Sequence, residues 1–468
     1  MHNYCIFFLV LFLTSCHVGE EYSFTPLYSD KDLQDSLNIK STDVDSIPKN
    51  WYKIFNDDDL NTLLTHVSDG NFSIQQGIAR LRQSRLQLAI QSKQMYPILS
   101  FAGDYDYTKT NTHRNAFQEA NFFKTGFDVS WEIDIWGRGK YITDYYYGLM
   151  KNAEYSLLNI KTSITAELIA NYINLRKEQE KLRITEKNLI LQTDILQTIK
   201  DKYSAGIVDN LTLNQAEYVV ENTKSQIPLL LSQIEIYKNS IATLLGVLPN
   251  NLPINLDKFK NNIIAKPFKY SVKELYNLPL GVLRSRPDIM AAETQVYAQN
   301  SAINQAITDL YPSLNLSASF SYLSFSGKRL FNNDNQIYSY MPSVSLPIWQ
   351  WNQLTNNIEL QKAIKEEYIL AYNEALLTAL SELKNALVST ENANKTTSHK
   401  KKSFLKMQNI LSLTQKKYKN GLTDFTDVAT AEQNLLQAQQ DFIESNAQIL
   451  LYLTAFYKAT GGGYNIYH

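Results

Sequence analysis

The side chains that most often carry catalysis or bind metals are few and scattered in this chain. Six histidines stand at positions 2, 17, 66, 113, 399 and 468, and no two are three or four residues apart, as paired ligands on one helix face would be. The cysteines are Cys5 and Cys16. The sequence has no phosphate loop or nucleophile elbow, and the glycine run at 461–463 lacks the Lys-Ser/Thr that follows in a phosphate loop. We therefore expect no enzyme, no metal site and no cofactor.

The charge balance and composition restrict the kinds of partner. The 468 residues include 45 Lys and Arg against 46 Asp and Glu, a formal charge of −1, whereas a nucleic-acid binder carries a basic surplus. A hydrophobic content of 44% is sufficient for a folded core. Beyond residue 15 no run approaches the roughly 20 apolar residues of a transmembrane helix. We expect no nucleic-acid partner, and any membrane crossing would have to use strands.

The amino terminus has the features of a secretory signal. Residues 4–13 are apolar, too few to span a bilayer, and small polar residues follow them. The ending Leu13-Thr14-Ser15-Cys16 resembles a bacterial lipobox, in which the cysteine is acylated and becomes the first mature residue. This predicts a signal peptide over 1–15 and lipid attachment at Cys16. The alternative is an ordinary cleaved signal followed by an incidental cysteine.

A constant offset of 215 residues relates two parts of the chain. The matching pairs are Tyr96-Pro97 with Tyr311-Pro312, Val129-Ser130 with Val344-Ser345, Tyr203 with Tyr418, Gly206 with Gly421, Ala216-Glu217 with Ala431-Glu432, and Gly246 with Gly461. An offset that stays constant along each copy indicates two copies of one structural unit. The segment between them, from Leu248 to Pro287, holds five of the twelve prolines and is predicted to be a connector.

Very long helices are predicted in each copy. Residues 149–205 and 352–420 contain neither Gly nor Pro, so each could form a helix of some 55 to 70 residues, on the order of 80 to 100 Å long. Apolar residues recur every seven positions, which is coiled-coil spacing: Leu168, Leu175, Leu182, Leu189 and Leu196 in the first copy, and Ile369, Leu376, Leu383, Phe404 and Leu411 in the second. Taken alone, these helices favour a soluble antiparallel stalk. Residues 51–67 predict a shorter amphipathic helix.

The strands change that interpretation. Residues 313–322 and 127–135 alternate strictly between apolar and polar side chains. A soluble sandwich would show the same pattern, but segments of about 10 residues that are apolar on one side also suit outer-membrane strands. Aromatic residues cluster at both ends of these segments, as in interfacial girdles. Each chain supplies four strands, too few to close a barrel, and an open edge in lipid would leave backbone groups unpaired. Three chains would give 12 strands.

Several motifs match a known family over nearly the whole mature chain. They are Cys16-His17-Val18-Gly19-Glu20-Glu21-Tyr22, Trp51 to Phe55, Trp131 to Arg138, Leu278 to Gly281, Arg286-Pro287-Asp288-Ile289, and Tyr457 to Gly463. The chain resembles the TolC-type outer-membrane factors, in particular the OprM/CusC-like lipoprotein branch of tripartite RND efflux pumps. Trp349-Gln350-Trp351 departs from the Gly-Arg step that this family usually has before the second long helix.

The resemblance implies a fold and a function. The fold would be mainly α with a small transmembrane β part, formed by two tandem repeats of helix, strand, strand, long helix and helix. Three chains would build a 12-stranded β-barrel continuous with a long α-helical barrel. The protein would be the exit duct of a tripartite pump for small toxic compounds or drugs. It would lie lipid-anchored in the bacterial outer membrane, with a long periplasmic extension. Its partners would be a periplasmic adaptor, an inner-membrane transporter of the RND type, and outer-membrane lipid.

Two alternatives keep part of this interpretation. A conduit for type I protein secretion would have the same fold, and a lipid-anchored coiled-coil scaffold would have no pore.

The expected segments are a signal peptide at 1–15, an amino-terminal equatorial segment at 16–70, repeat 1 at 71–247 (strands 97–108 and 123–135, hairpin 138–245), a connector at 248–285, repeat 2 at 286–462 (strands 312–325 and 338–350, hairpin 352–460) and a tail at 463–468.

The two helical hairpins are predicted to turn at Tyr-x-x-Gly. In Tyr203 to Gly206 and Tyr418 to Gly421, the glycine would end the long helix in the left-handed conformation. Asp209 and Asp424 stand at equivalent positions just before the returning helices, and a helix N-cap shared by both copies would explain them.

Asp427 differs from its counterpart in the first copy, which is Thr212. Around a threefold axis, Asp427 would form a ring of like charge at the periplasmic mouth, and the alternative is an ordinary solvated acid in a first helical turn. By the resemblance, this tip narrows the tunnel, and Tyr418 and Asp427 match gate positions of the family. The family's other acidic tip position falls on Thr430 and its basic one on Thr423, so the closed state would depend more on Tyr418.

Overall fold

The computed structural model describes residues 18–37, 40–41, 50–112, 116–257, 264, 275–278 and 281–463. The predictions for residues 1–15 and for Cys16 lie outside this part of the chain. The described residues divide into two compact units. The first unit takes in residues 18–25, 80–154 and 291–372, and the second the remaining described residues.

The amino-terminal region contains short elements: α1 (Asp30–Leu37), β1 (Lys40–Ser41), a 3₁₀ turn (Trp51–Phe55) and α2 (Asp58–Gly70). The single helix predicted over 51–67 is therefore wrong. The chain leaves the first turn at Asn56, whose φ is 49°, and Asp57 begins a new helix by accepting a hydrogen bond from the Leu60 amide at 3.0 Å. An Asp in this position satisfies an amide that the helix itself leaves unpaired.

The two copies fold alike. The first contains α3 (Phe72–Gln91), β2 (Ile98–Thr112), β3 (Ala116–Ile133), α4 (Arg138–Ser204) and α5 (Asn210–Leu245). After the short strand β4 (Asn277–Leu278), the second contains α6 (Pro287–Thr308), β5 (Ser313–Ser324), β6 (Gln336–Ser345), α7 (Trp351–Lys419) and α8 (Phe425–Ala459). The helices α3 and α6, the strands β2 and β5, and the helices α5 and α8 each begin 215 residues apart, the offset found in the sequence.

The first unit contains an antiparallel sheet in the order β2-β3-β5-β6. β2 ends four residues later and β3 begins seven residues earlier than the sequence predicted, because a backbone ladder continues where side-chain alternation has stopped. β6 ends at Ser345, five residues earlier than predicted. Pro347 stands two residues further on, and a proline has no amide hydrogen to donate to the ladder.

The second unit contains α4 from residue 155 onward with α5, and α7 from residue 373 onward with α8. Leu168, Leu175, Leu376 and Leu383 of the heptad pattern are fully buried. Thr390, which stands in the same frame, is also buried and donates its hydroxyl to the Ala386 carbonyl at 2.7 Å. A polar residue is accommodated there because its hydrogen bond is satisfied within the helix.

Two arginines anchor the second unit. Arg176 is fully buried and donates to Asp59 and to the Leu256 carbonyl, both at 2.9 Å. Arg286, from the motif that carried the family resemblance, donates to Asp288 and Glu382 at 2.7 and 2.8 Å and to the Ala459 carbonyl at 3.0 Å. These bonds join the start of α6 to the middle of α7 and the end of α8.

Candidate functional site

One face of the four-stranded sheet is apolar and exposed. The register places Phe127 opposite Phe320 and Trp131 opposite Leu316, while Ser130 lies opposite Ser317. Directly opposed residues share a face, so the apolar and polar side chains separate across the sheet, as the alternation predicted. The apolar face includes several exposed side chains: Phe101, Phe127, Phe320, Tyr338, Tyr340 and Val344. A contiguous exposed apolar surface indicates contact with an apolar environment or another chain.

The two outer strands have free edges. Among the described residues, β2 pairs only with β3, and β6 pairs only with β5. Each outer strand therefore has a row of amide and carbonyl groups on one side without a strand partner in this chain. Such edges can add another strand.

Both hairpin turns end their first helix in the same way. Gly206 and Gly421 have φ values of 70° and 71°. Their amides donate to the carbonyls of Tyr203 and Tyr418 at 2.9 and 3.0 Å, and the next amide in each turn donates further back, Ile207 to Lys202 at 2.8 Å. This pair of bonds is a Schellman motif. A Cβ on either glycine would meet no atom within 4 Å, so the left-handed backbone alone requires glycine here.

Asp209 caps α5 with its side chain. Its Oδ1 accepts hydrogen bonds from the Thr212 amide at 2.9 Å and the Thr212 hydroxyl at 2.7 Å. The two bonds lower the pKa of Asp209 because both stabilise the carboxylate.

The second copy does not repeat this cap. Asp424 occupies the N-cap position of α8 with extended backbone, but within the described residues its side chain makes no cap hydrogen bond. The prediction of a side-chain cap shared by both copies is therefore wrong for Asp424. Asp427, which replaces Thr212, has no hydroxyl to donate, and its amide donates to the Asp424 carbonyl at 3.3 Å instead of the side chain. Instead, Asp427 accepts a hydrogen bond from the Thr423 hydroxyl, and its carboxylate remains exposed.

Tyr418 packs against an apolar cluster that joins both hairpins. The buried members of the cluster are Leu196, Ile199, Ala216, Val219, Val220, Phe425, Val428 and Ala429. The half-buried Tyr418 ring lies 5.8 Å from the Phe425 ring, edge to face, and Lys202 Nζ lies 5.7 Å from its centroid. Burial raises the pKa of Tyr418, so the hydroxyl stays neutral in ordinary buffers. Its counterpart Tyr203 is exposed.

Thr430 makes a local bond. Its exposed hydroxyl donates to the Thr426 carbonyl one turn earlier at 2.8 Å, a bond internal to α8. The Thr426 hydroxyl in turn donates to Gln215 of the first hairpin at 3.2 Å. Of the sequence-selected tip residues, the structure therefore brings Thr423 and Asp427 into direct contact, whereas Thr430 bonds elsewhere.

Sequence reasoning missed Glu432. This side chain is buried at the tip of the second hairpin, with 9% of the residue exposed. Burial raises the pKa of Glu432 to about 7, and a hydrogen bond with Gln415 acts in the opposite direction. Its counterpart Glu217 is half-exposed and forms an ion pair with Lys200 at 3.3 Å. The 215-residue offset pairs Lys200 with Gln415, so the repeat itself contained the signal of a lost cation.

Two further findings concern membranes and metals. In the part of the chain that the structure describes, no helix combines the length and the apolar character needed to cross a bilayer. The same residues contain no group of three or more His, Cys, Asp and Glu side chains placed to hold a metal ion.

Comparison with known proteins identifies the family. The model of the outer membrane efflux protein family matches residues 63–247 and again 278–462, and the two matches begin 215 residues apart. The chain belongs to the outer membrane efflux protein family. This membership confirms the resemblance inferred from the motifs, together with the two repeats and the outer-membrane efflux function. The family consists of transport proteins and not of enzymes.

Individual relatives match nearly the full length of this chain. The cation efflux system protein CusC of Escherichia coli O6:H1 (strain CFT073) is 23% identical over 462 residues, 98% of each chain. Nodulation protein T of Rhizobium leguminosarum bv. trifolii is 25% identical over 459 residues, 98% of this chain and 97% of the relative. The structure of the Campylobacter jejuni CmeC outer membrane channel has a TM-score of 0.87 at 22% identity, covering 97% and 96% of the two chains. The mainly helical fold with a small antiparallel sheet is therefore that of an outer-membrane channel.

Proposed function

We propose that this efflux protein is the trimeric exit duct of a tripartite pump. The carrying observation is the sheet, whose four strands present one continuous exposed apolar face and leave β2 and β6 with free edges. In lipid, every backbone amide and carbonyl must be paired. Pairing β6 of one chain with β2 of the next satisfies both edges, and three chains close a ring of 12 strands, within the known range of outer-membrane barrels. The apolar face then contacts lipid, and Ser130 and Ser317 face the lumen.

The remaining partners follow from this role. A duct that begins at the outer membrane needs a periplasmic adaptor and an inner-membrane transporter, here of the RND type, to deliver its cargo. Acylation of Cys16 would add an anchor in outer-membrane lipid. The cargo proposed is small toxic compounds or drugs. The names of the relatives refer to cations and to nodulation, so similarity alone does not assign a cargo to this chain.

A type I secretion conduit would share this fold. Deleting the gene separates the two roles. Export of small molecules predicts a lower inhibitory concentration for several unrelated compounds and an unchanged set of secreted proteins. Loss of a secreted protein with unchanged drug tolerance would overturn the efflux assignment. A scaffold without a pore is disfavoured by the exposed apolar face of the sheet, which a soluble stalk does not need.

We place the periplasmic gate at the tip of the second hairpin. Tyr418 ties α7 to the apolar cluster that joins both hairpins, and the exposed Asp427 carboxylate is held by Thr423. Removing the Tyr418 ring would loosen the tip, while removing Asp427 would remove negative charge from the mouth. The turn at Gly421 and the backbone of Asp424 at the start of α8 hold these residues in place, and Tyr203, Gly206 and Asp209 form the equivalent turn and cap of the first hairpin.

Single-channel recording tests this gate. Tyr418→Ala and Asp427→Ala are each expected to raise the conductance of the trimer, and Asp427→Ala also to lower its preference for cations. The matched control is Thr212→Ala, at the position in the first hairpin equivalent to Asp427, which should change neither property. Equal conductance for all three variants would place the constriction elsewhere.

A further inference from the structure

The outgoing helix of the second hairpin has a basic stretch that the first hairpin lacks. Residues 395–419 of α7 contain eight lysines and no Asp or Glu. The equivalent residues of α4, 180–204, contain five basic and four acidic side chains. Both stretches build the same hairpin, so the fold does not require the difference in charge.

Most of these lysines have no acidic partner. Lys395 pairs with Glu391 at 2.7 Å and Lys400 with Asp441 at 2.5 Å. The other six are exposed, and among the described residues they have no carboxylate within 4.0 Å: Lys401, Lys402, Lys406, Lys416, Lys417 and Lys419. An uncompensated run of like charge raises the local potential and attracts an oppositely charged surface.

Helical geometry places four of the lysines on one face. At 100° per residue, Lys402, Lys406, Lys416 and Lys417 fall within about a third of the circumference of α7. The exposed side chains of Ile410 and Leu413 lie on the same third, with 45% and 59% of their surfaces accessible. We call these six residues the lysine face. The corresponding lysine positions of the first hairpin hold Lys187, Leu191, Asp201 and Lys202, so their net charge is +1 instead of +4.

We propose that the lysine face is the docking surface for an acidic amphipathic helix of a partner protein. Aliphatic side chains flanked by lysines match a helix that presents apolar residues between rows of Glu or Asp, as in paired helices. The inference rests on the proposed duct, because the partner would be its periplasmic adaptor. It adds the chemistry of the contact: the second hairpin binds by charge, and the first does not.

A second copy of this chain fits the face less well. In a ring where the two hairpins alternate, α4 and α7 occupy equivalent positions. The same face of each helix therefore has the same kind of neighbour. The acidic residues of α4 that stand at the same height in the equivalent sector, Asp194 and Asp201, therefore point the same way as the lysine face and cannot pair with it. Three such faces per trimer would alternate with three nearly neutral ones, which sets three charged docking sites for each duct.

Peptide binding to the full-length trimer tests the proposal. The probe is a synthetic helical peptide with leucines at heptad positions a and d and glutamates at e and g. Its binding is measured by fluorescence anisotropy. We expect three peptides per trimer, with affinity that falls as salt rises from 50 to 200 mM. Lys402→Glu with Lys406→Glu should weaken binding about tenfold or more, because two exposed attractions become repulsions. Lys187→Glu, at the position equivalent to Lys402, should change affinity less than twofold.

The contradicting results are specific. Equal weakening by the two sets of variants, the absence of salt dependence, or no binding by the unaltered trimer would overturn the proposal. Conductance of the same preparations is measured in parallel, because an unchanged pore with failed binding refutes the docking surface and leaves the duct intact.

A photo-crosslinking amino acid at Leu413 tests the occupant in cells. The expected adduct joins this position to an acidic helical segment of a different periplasmic protein. An adduct between two copies of the chain, an adduct to a segment without acidic residues, or no adduct would each contradict the assignment.

Discussion

Glu432 provides a pH-dependent test of the hairpin tip. Its folded-state pKa of about 7 exceeds the ordinary value of 4.5 because burial disfavours the carboxylate. The folded chain therefore holds a proton that the unfolded chain releases at lower pH. The loss of folding stability caused by ionising Glu432 is absent below pH 4.5, grows between pH 4.5 and pH 7, and is constant above pH 7. This difference between the two pKa values lowers the free energy of unfolding by about 3 kcal/mol at most.

Glu432→Gln removes that cost while keeping the shape and a hydrogen-bonding amide. At pH 8 the variant should be more resistant to local opening than the unaltered protein, by up to about 3 kcal/mol, or about 100-fold in hydrogen-exchange protection of residues 425–440. At pH 5 the advantage should fall below about 1 kcal/mol, because the folded carboxyl is then protonated and the unfolded one only partly ionised.

The equivalent substitution in the first hairpin is the control. Glu217→Gln removes a half-exposed ion pair with Lys200, so it should lower protection slightly, by less than about 1 kcal/mol, at pH 8. If Glu432→Gln and Glu217→Gln respond alike, or if the effect of Glu432→Gln is the same at both pH values, Glu432 is not a buried acid without a cation.

Three further substitutions test the sheet, the core and the anchor. Leu316→Arg should cost about 2 to 4 kcal/mol near the bilayer midplane and reduce the yield of folded trimer on gels, whereas Ser317→Arg should be tolerated; equal losses would refute the assignment of faces. Arg286→Met should remove the buried donor of the Ala459 carbonyl and of two partly exposed carboxylates and lower the free energy of unfolding by about 1 to 3 kcal/mol, and an unchanged melting temperature would contradict this. Cys16→Ala should abolish acylation in the intact mass of the mature protein but permit insertion, and a mature amino terminus elsewhere would refute the lipid site.

The sequence predicted the features that depend on periodicity. The 215-residue offset located both copies, and the heptads with Leu168 and Leu376 located the long buried helices. Strict alternation around Leu316 and Val129 predicted which side chains share a face of the sheet, and the register bears this out. These patterns are visible because residues at equivalent positions of a periodic element share the same kind of environment, so the same type of side chain recurs many times.

Features that depend on a single local contact were not predictable in this way. Equivalent aspartates suggested equivalent caps, but the cap of Asp424 fails where Asp427 replaces the donor Thr212. The burial of Glu432 depends on tertiary packing at the tip, and the sequence showed only the loss of a cation beside it, through the exchange of Lys200 for Gln415. The early end of β6 shows that a strand can stop near a proline although apolar residues, Ile348 and Trp349, follow it.

The central claim is that this chain forms an open path through the outer membrane as a trimer. The direct measurement is the single-channel conductance of the purified full-length protein in a planar bilayer, on material whose native mass has been determined. We expect a mass of three chains and discrete conductance steps that increase when Tyr418→Ala loosens the tip. Insertion without any conductance, from both the unaltered protein and Tyr418→Ala, would contradict the duct and favour a lipid-anchored scaffold.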